Sequence, residues 1–132
     1  MEPRSANILV VDDDKNTCIY VMKILSTRKG WQVDVAWKGT MALELVKKKA
    51  YDAVVLDYRM PGMDGVELCR LIREAQPGVR AVFLTAYPQI DTVFPAMEAG
   101  AERVLSKPVD PAELVSVLEE QMDDAELHHH RS

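Results

Sequence analysis

The sequence predicts an α/β domain in which a parallel sheet is covered by helices on both faces. Three observations lead there. Short apolar runs alternate five times with segments of helical periodicity, three of the runs are apolar at every position, and the connections are short. A strand that is apolar throughout is buried on both faces, as in a parallel sheet built from right-handed crossovers.

The runs are residues 8–11 (β1), 33–36 (β2), 53–56 (β3), 81–84 (β4) and 103–105 (β5). β1, β3 and β4 are the continuously apolar ones, whereas β2 alternates through Gln32, Val33, Asp34 and Val35, the pattern of an edge strand. After β1, Cys18, Val21, Met22 and Leu25 recur at helical spacing and define α1, about residues 15–25. Ala42, Leu45 and Val46 mark a shorter second helix, and Leu68, Leu71, Ile72 and Ala75 a third. A fourth is expected near residues 91–98, where Pro95 either delays its start to about Phe94 or kinks it, because proline lacks an N–H donor and restricts the preceding residue. Asp110-Pro111 is a helix cap with proline at the first helical position, and the stripe Leu114, Val117, Leu118 follows.

A chain of 132 residues, 48% apolar and 28% charged, suits one globular domain. Its apolar runs are far too short to span a membrane, and Met1-Glu2-Pro3-Arg4 lacks the basic-then-apolar pattern of a secretory signal, so the expected location is cytoplasmic. A net charge of −5, with Lys47-Lys48-Lys49 as the one basic cluster, argues against direct nucleic-acid binding. That run reads as a solvated helix end. Cys18 and Cys69 lie within apolar periodic segments without CxxC spacing and read as buried, reduced thiols.

In an open parallel sheet, ligands bind outside the carboxyl ends of the strands. The residues closing the strands are Asp12 and Asp13, Asp57, Thr85, and Ser106-Lys107-Pro108. Two carboxylates about 4 Å apart repel by roughly 4 kcal/mol at an effective dielectric near 20, so this convergence calls for a cation. Magnesium suits hard oxygen ligands, and the scarcity of His and Cys gives a softer metal little to hold. Taken singly, each residue has an ordinary use: Asp14 caps α1, Asp57 and Thr85 begin turns, and Lys107 is a surface charge. Complementary groups at four strand ends give the set its meaning.

Asp12-Asp13, the apolar run ending in Asp57, the loop Met60-Pro61-Gly62-Met63-Asp64-Gly65, Thr85-Ala86, Ala99-Gly100-Ala101 and Lys107-Pro108 together resemble the receiver domain of bacterial two-component response regulators. The resemblance covers residues 6–122 and leaves 123–132 as a polar tail, with His128-His129-His130 read as part of a linker or tag remnant. It implies a flavodoxin-like (βα)5 fold with strand order 2-1-3-4-5. It further implies that Asp57 accepts a phosphoryl group from a sensor histidine kinase or phosphotransfer protein. Asp13, Asp57 and the Arg59 carbonyl would hold magnesium, and Asp12 would hold a metal-bound water. Lys107 and Thr85 would bind phosphoryl oxygens, with Lys107-Pro108 cis and Asp64 capping the third helix. The domain would catalyse its own phosphorylation and dephosphorylation without being a conventional turnover enzyme. The face formed by the fourth helix, β5 and the fifth helix would meet an output domain or a second receiver, with no contact to nucleic acid or membrane.

The sequence departs from the family pattern at Val104, where an aromatic residue is usual. Arg59 and Tyr87 occupy positions that tune phosphoryl lifetime in receivers. Two alternatives stand beside this reading: a haloacid-dehalogenase-type phosphotransferase using Asp12 and Asp14, and a vestigial receiver that acts as a protein-interaction module. No output domain follows residue 122, so the expectation is either a stand-alone receiver or part of a longer regulator.

Overall fold

Successive side chains of a strand point to opposite faces, so a strand apolar at every position feeds two cores at once. A computed structural model describes residues 5–60, 62–86 and 95–131, with backbone alone at 63 and 124–131. β1 (Ala6–Val11), β2 (Trp31–Ala36), β3 (Ala53–Asp57), β4 (Arg80–Thr85) and β5 (Ala101–Ser106) form one parallel sheet in the order 2-1-3-4-5. This is the flavodoxin-like arrangement that the sequence implied. A separate antiparallel ribbon pairs Arg59–Met60 with Met63–Asp64 just beyond β3.

Leu9, Val11, Val54, Leu56, Ala81 and Phe83 face a core completed by α2 (Gly39–Lys48), α3 (Gly65–Ala75) and the helical residues 95–98, here α4. On the opposite face, Ile8, Val10, Val55, Val82 and Leu84 pack against α1 (Lys15–Ser26) and α5 (Pro111–Arg131) through Cys18, Val21, Leu25, Leu114 and Leu118. The buried stripe of α5 runs to Met122, while its backbone stays helical to Arg131. The start of α4, and with it the expected effect of Pro95, lies outside the described residues, as does Tyr87. Pro95 itself is helical and accepts the first described turn's bond from the Ala99 N–H at 3.1 Å.

Asp14, Asp64 and Asp110 cap α1, α3 and α5, accepting from Asn16 N at 2.9 Å, Val66 N at 2.9 Å and Ala112 N at 3.1 Å. Cys18 and Cys69 are buried free thiols, and β2 lies at the sheet edge. Two edge strands begin earlier than apolarity suggested. β2 starts at Trp31, which Arg28 covers with its guanidinium 5.7 Å from the ring centre, and β5 starts at Ala101, supported by an Arg80–Glu102 ion pair at 3.0 Å. Lys49 is more than a solvated helix end: its ammonium donates to Asp34 at 3.0 Å, beside the Tyr51 hydroxyl, which donates to the same oxygen at 2.7 Å.

One residue that sequence patterning passed over ties the lower end of the domain together. Gln76, at the end of α3, donates from Nε2 to the carbonyls of Val46 (2.8 Å) and Lys49 (2.7 Å) and accepts from Tyr51 N at 2.8 Å. Truncation orphans three backbone groups together. Gln76→Ala should therefore cost about 2–3 kcal/mol, seen as a lower denaturant midpoint at unchanged slope.

Candidate functional site

Strand register brings the site together. Val11 lies beside Leu56, Asp57 beside Leu84 and Thr85 beside Ser106, so the strands finish level and the residues that close them share one edge. The chain leaves β1 for β2 on one side and returns to β3 on the other, which makes the β1–β3 crevice the switch point of the sheet.

Asp12, Asp57 and Thr85 are at most 8% exposed, three of the four buried polar residues among those described. The Lys107 ammonium stands between the first two, 3.1 Å from Asp12 Oδ2 and 3.1 Å from Asp57 Oδ1. Its backbone N–H donates to the Thr85 carbonyl at 2.7 Å, and the Lys107-Pro108 peptide is cis, as the resemblance implied. Asp13 is exposed, yet one carboxylate oxygen from each of Asp12, Asp13 and Asp57 lies within 4.8 Å of the others.

Burial, reinforced by the neighbouring Asp12 charge, pushes the Asp57 carboxyl up to about 6, against the opposing pull of Lys107 and the Arg59 N–H. Burial also raises Asp12, although the Asp14 N–H, at 2.9 Å, and Lys107 favour its charged form. For Lys107, burial disfavours the charge, but its bonds to Asp12 and Asp57 outweigh this and raise its pKa. One ammonium therefore leaves the carboxylates under-neutralised. Hard oxygen donors in such a state fit a small divalent cation such as magnesium.

Three contacts were not legible in the sequence. Cys18 reads as core filler but donates its S–H to the Asp12 carbonyl at 3.1 Å, beneath the acidic loop. Gly65 donates its N–H to the Tyr58 carbonyl at 3.3 Å, and a glycine opening a helix right after its cap is the signal that could have pointed to it. The Tyr58 ring meets Phe83 edge-on at 5.7 Å. Val104, beside Phe83 in register, is only partly buried against the same core, so the described aromatic contact on this face lies between β3 and β4.

The sequence profile of the response regulator receiver domain matches residues 8–119. The chain belongs to this family. The receiver is 36% identical over 129 residues to the transcriptional regulatory protein ZraR of Klebsiella oxytoca, an alignment covering 96% of this chain and 28% of ZraR. It therefore spans about a quarter of that relative. Its structure superimposes on the BeF3-activated receiver domain of DrrB, a Thermotoga maritima protein, with a TM-score of 0.83 and 31% identity over 91% of this chain and 99% of that one. A response regulator from Burkholderia pseudomallei, solved with a phosphorylated aspartic acid, a calcium ion and citrate, gives a TM-score of 0.82 and 25% identity over 95% of this receiver and 73% of that chain. Membership sets aside the dehalogenase alternative. No described helix is long and apolar enough to cross a membrane.

The raised Asp57 carboxyl has a consequence for stability. Between about 4, its value in the unfolded chain, and about 6 the folded state binds the extra proton, so stability falls as pH rises through that window. Without divalent metal, Asp57→Asn should be more stable than wild type at pH 7.5 by on the order of 1–3 kcal/mol, and the gap should close towards pH 4. Urea unfolding in EDTA across that range measures it. Magnesium at pH 7.5 should raise the wild-type midpoint and leave that of Asp57→Asn nearly unmoved.

Proposed function

We propose that Asp57 is the phosphoryl acceptor of a two-component switch and that a sensor histidine kinase or phosphotransfer protein supplies the group. The observation that carries this reading is the placement of Asp57 Oδ1 at 3.1 Å from Lys107 Nζ, within the same oxygen cluster as Asp12 and Asp13. A vestigial receiver would have lost part of this set; here every member is present. The phosphorylated aspartic acid in the Burkholderia pseudomallei regulator supports the same chemistry.

An Asp57 oxygen attacks phosphorus in line, and the new O–P bond forms as the P–N bond of the donor phosphohistidine breaks, its electron pair leaving on the imidazole. Lys107 turns its ammonium to a phosphoryl oxygen, and the Thr85 hydroxyl donates to another. Asp13, Asp57 and the Arg59 carbonyl would hold magnesium, with Asp12 reaching it through water; when bound, the ion offsets the carboxylate crowding and the phosphoryl charge. Water later attacks phosphorus, releases inorganic phosphate and restores the Asp57 carboxylate. The domain so catalyses its own two half-reactions and turns over no separate substrate. Residues 6–122 are the receiver unit, and the polar segment 123–132 serves as linker or is a tag remnant. Its altered state is read at the face of α4, β5 and α5 by an output domain or a second receiver, in keeping with ZraR being a transcriptional regulator.

With magnesium and acetyl phosphate, the wild type should gain one acid-stable, base-labile phosphoryl group, measured as an 80 Da mass increase on the peptide containing Asp57. Asp57→Asn should lose it, and label retained at the wild-type level in that variant would overturn the assignment. Replacing Arg59 and Tyr87 by Ala should speed loss of the group from purified phosphoprotein, because shorter side chains shield the in-line water path less; the decay of intact mass with time measures it.

A further inference from the structure

We propose that Gly65 is a positioning residue for the acceptor, an inference that rests on the reading of Asp57 above. α3 begins at Gly65, and a Cβ built there would fall 2.6 Å from the Asp57 carbonyl oxygen and 2.6 Å from that of Tyr58. Both neighbours are backbone atoms. No side-chain rotation relieves the overlap, so either the acceptor segment or the helix must shift.

What this position requires is space. Gly65 is not among the glycines with positive φ, so an alanine can adopt its backbone conformation; it is the room for a methyl group that is missing. Gly62, three residues earlier, is the converse case: its φ of +79° disfavours any side chain, yet nothing lies within 4 Å of where a Cβ would stand. One loop thus carries two glycines with separable demands.

The segment beside Gly65 controls two parts of the site. Tyr58 donates its N–H to the Leu84 carbonyl of β4 at 3.0 Å and accepts from the Gly65 N–H at 3.3 Å, so the two peptide units that meet at Tyr58 are tied to a strand on one side and to the first residue of a helix on the other. The following amide, of Arg59, donates to the Asp57 carboxylate. A methyl group at position 65 displaces the 57–58 carbonyls, and with them the direction of the carboxylate and the path leading to the Arg59 carbonyl.

The test compares Gly65→Ala with Gly62→Ala. In metal-free Gly65→Ala, the amide resonances of residues 57–59 should shift. Its magnesium dissociation constant should rise about tenfold or more, and acetyl phosphate labelling at saturating magnesium should slow by about ten- to a hundredfold, since misplacement by 1 Å costs on the order of a hundredfold. Gly62→Ala should lose stability but keep magnesium affinity and labelling within about twofold, the range expected when strain stays in the loop. Wild-type affinity and labelling in folded Gly65→Ala, or equal losses in Gly62→Ala, would overturn the proposal. If Gly65→Ala does not fold, a magnesium titration of the wild type decides: the Gly65 amide resonance must move with the same dissociation constant as that of Arg59, and a static resonance overturns the role. A wild type that takes no label at Asp57 refutes the acceptor reading instead, while the metal-free amide shifts still decide Gly65.

Discussion

The organising constraint is an excess of negative charge at the open edge of a buried sheet. Asp12, Asp13 and Asp57 converge there, and a single ammonium lies between two of them. The surrounding donors answer that charge: the Asp14 N–H points at Asp12, the Arg59 N–H at Asp57, and the first turns of α1, α3 and α5 begin at the same edge with their positive dipole ends. Three further aspartates nearby, Asp14, Asp64 and Asp110, add no lone charge to the cluster because helix N–H groups occupy them as caps. The edge thus divides its carboxylates between capping and the crevice.

Legibility in the sequence followed locality. β1, β3 and β4 announce themselves because burial on both faces makes residues 8–11, 53–56 and 81–84 apolar throughout, and the first polar residue after each run, Asp12, Asp57 or Thr85, marks the strand end. The three caps are equally local, each read from an aspartate two residues before the amide it accepts from. Edge strands were harder. The starts of β2 and β5 are set by pairing and by the Arg28–Trp31 and Arg80–Glu102 contacts, which leave no apolar run to read.

The rest was hidden because its partners are remote in the chain. Gln76 reaches carbonyls 27 and 30 residues away, and nothing around it distinguishes it from a solvated helix end. Cys18 looks like any apolar position until β1 is docked, when its thiol meets the Asp12 carbonyl. The Tyr58–Phe83 contact depends on β3 and β4 being neighbours. It also sits on the sheet face to which Thr85, two residues beyond Phe83, directs its side chain, so the aromatic contact and the hydroxyl share one side of β4.

β3 has no exposed residue along its length, from Ala53 to Asp57, and is flanked by strands on both sides. Such a strand is clamped like a rod set in masonry, fixed everywhere but at its tip. Load applied at Asp57 has no compliant direction along the rod and is deflected sideways into the loops that meet there. Asp57, the acceptor we propose, thus stands at the end of a strand buried along its whole length, and the mechanical answer to an added group there belongs to the loops around it rather than to the strand beneath.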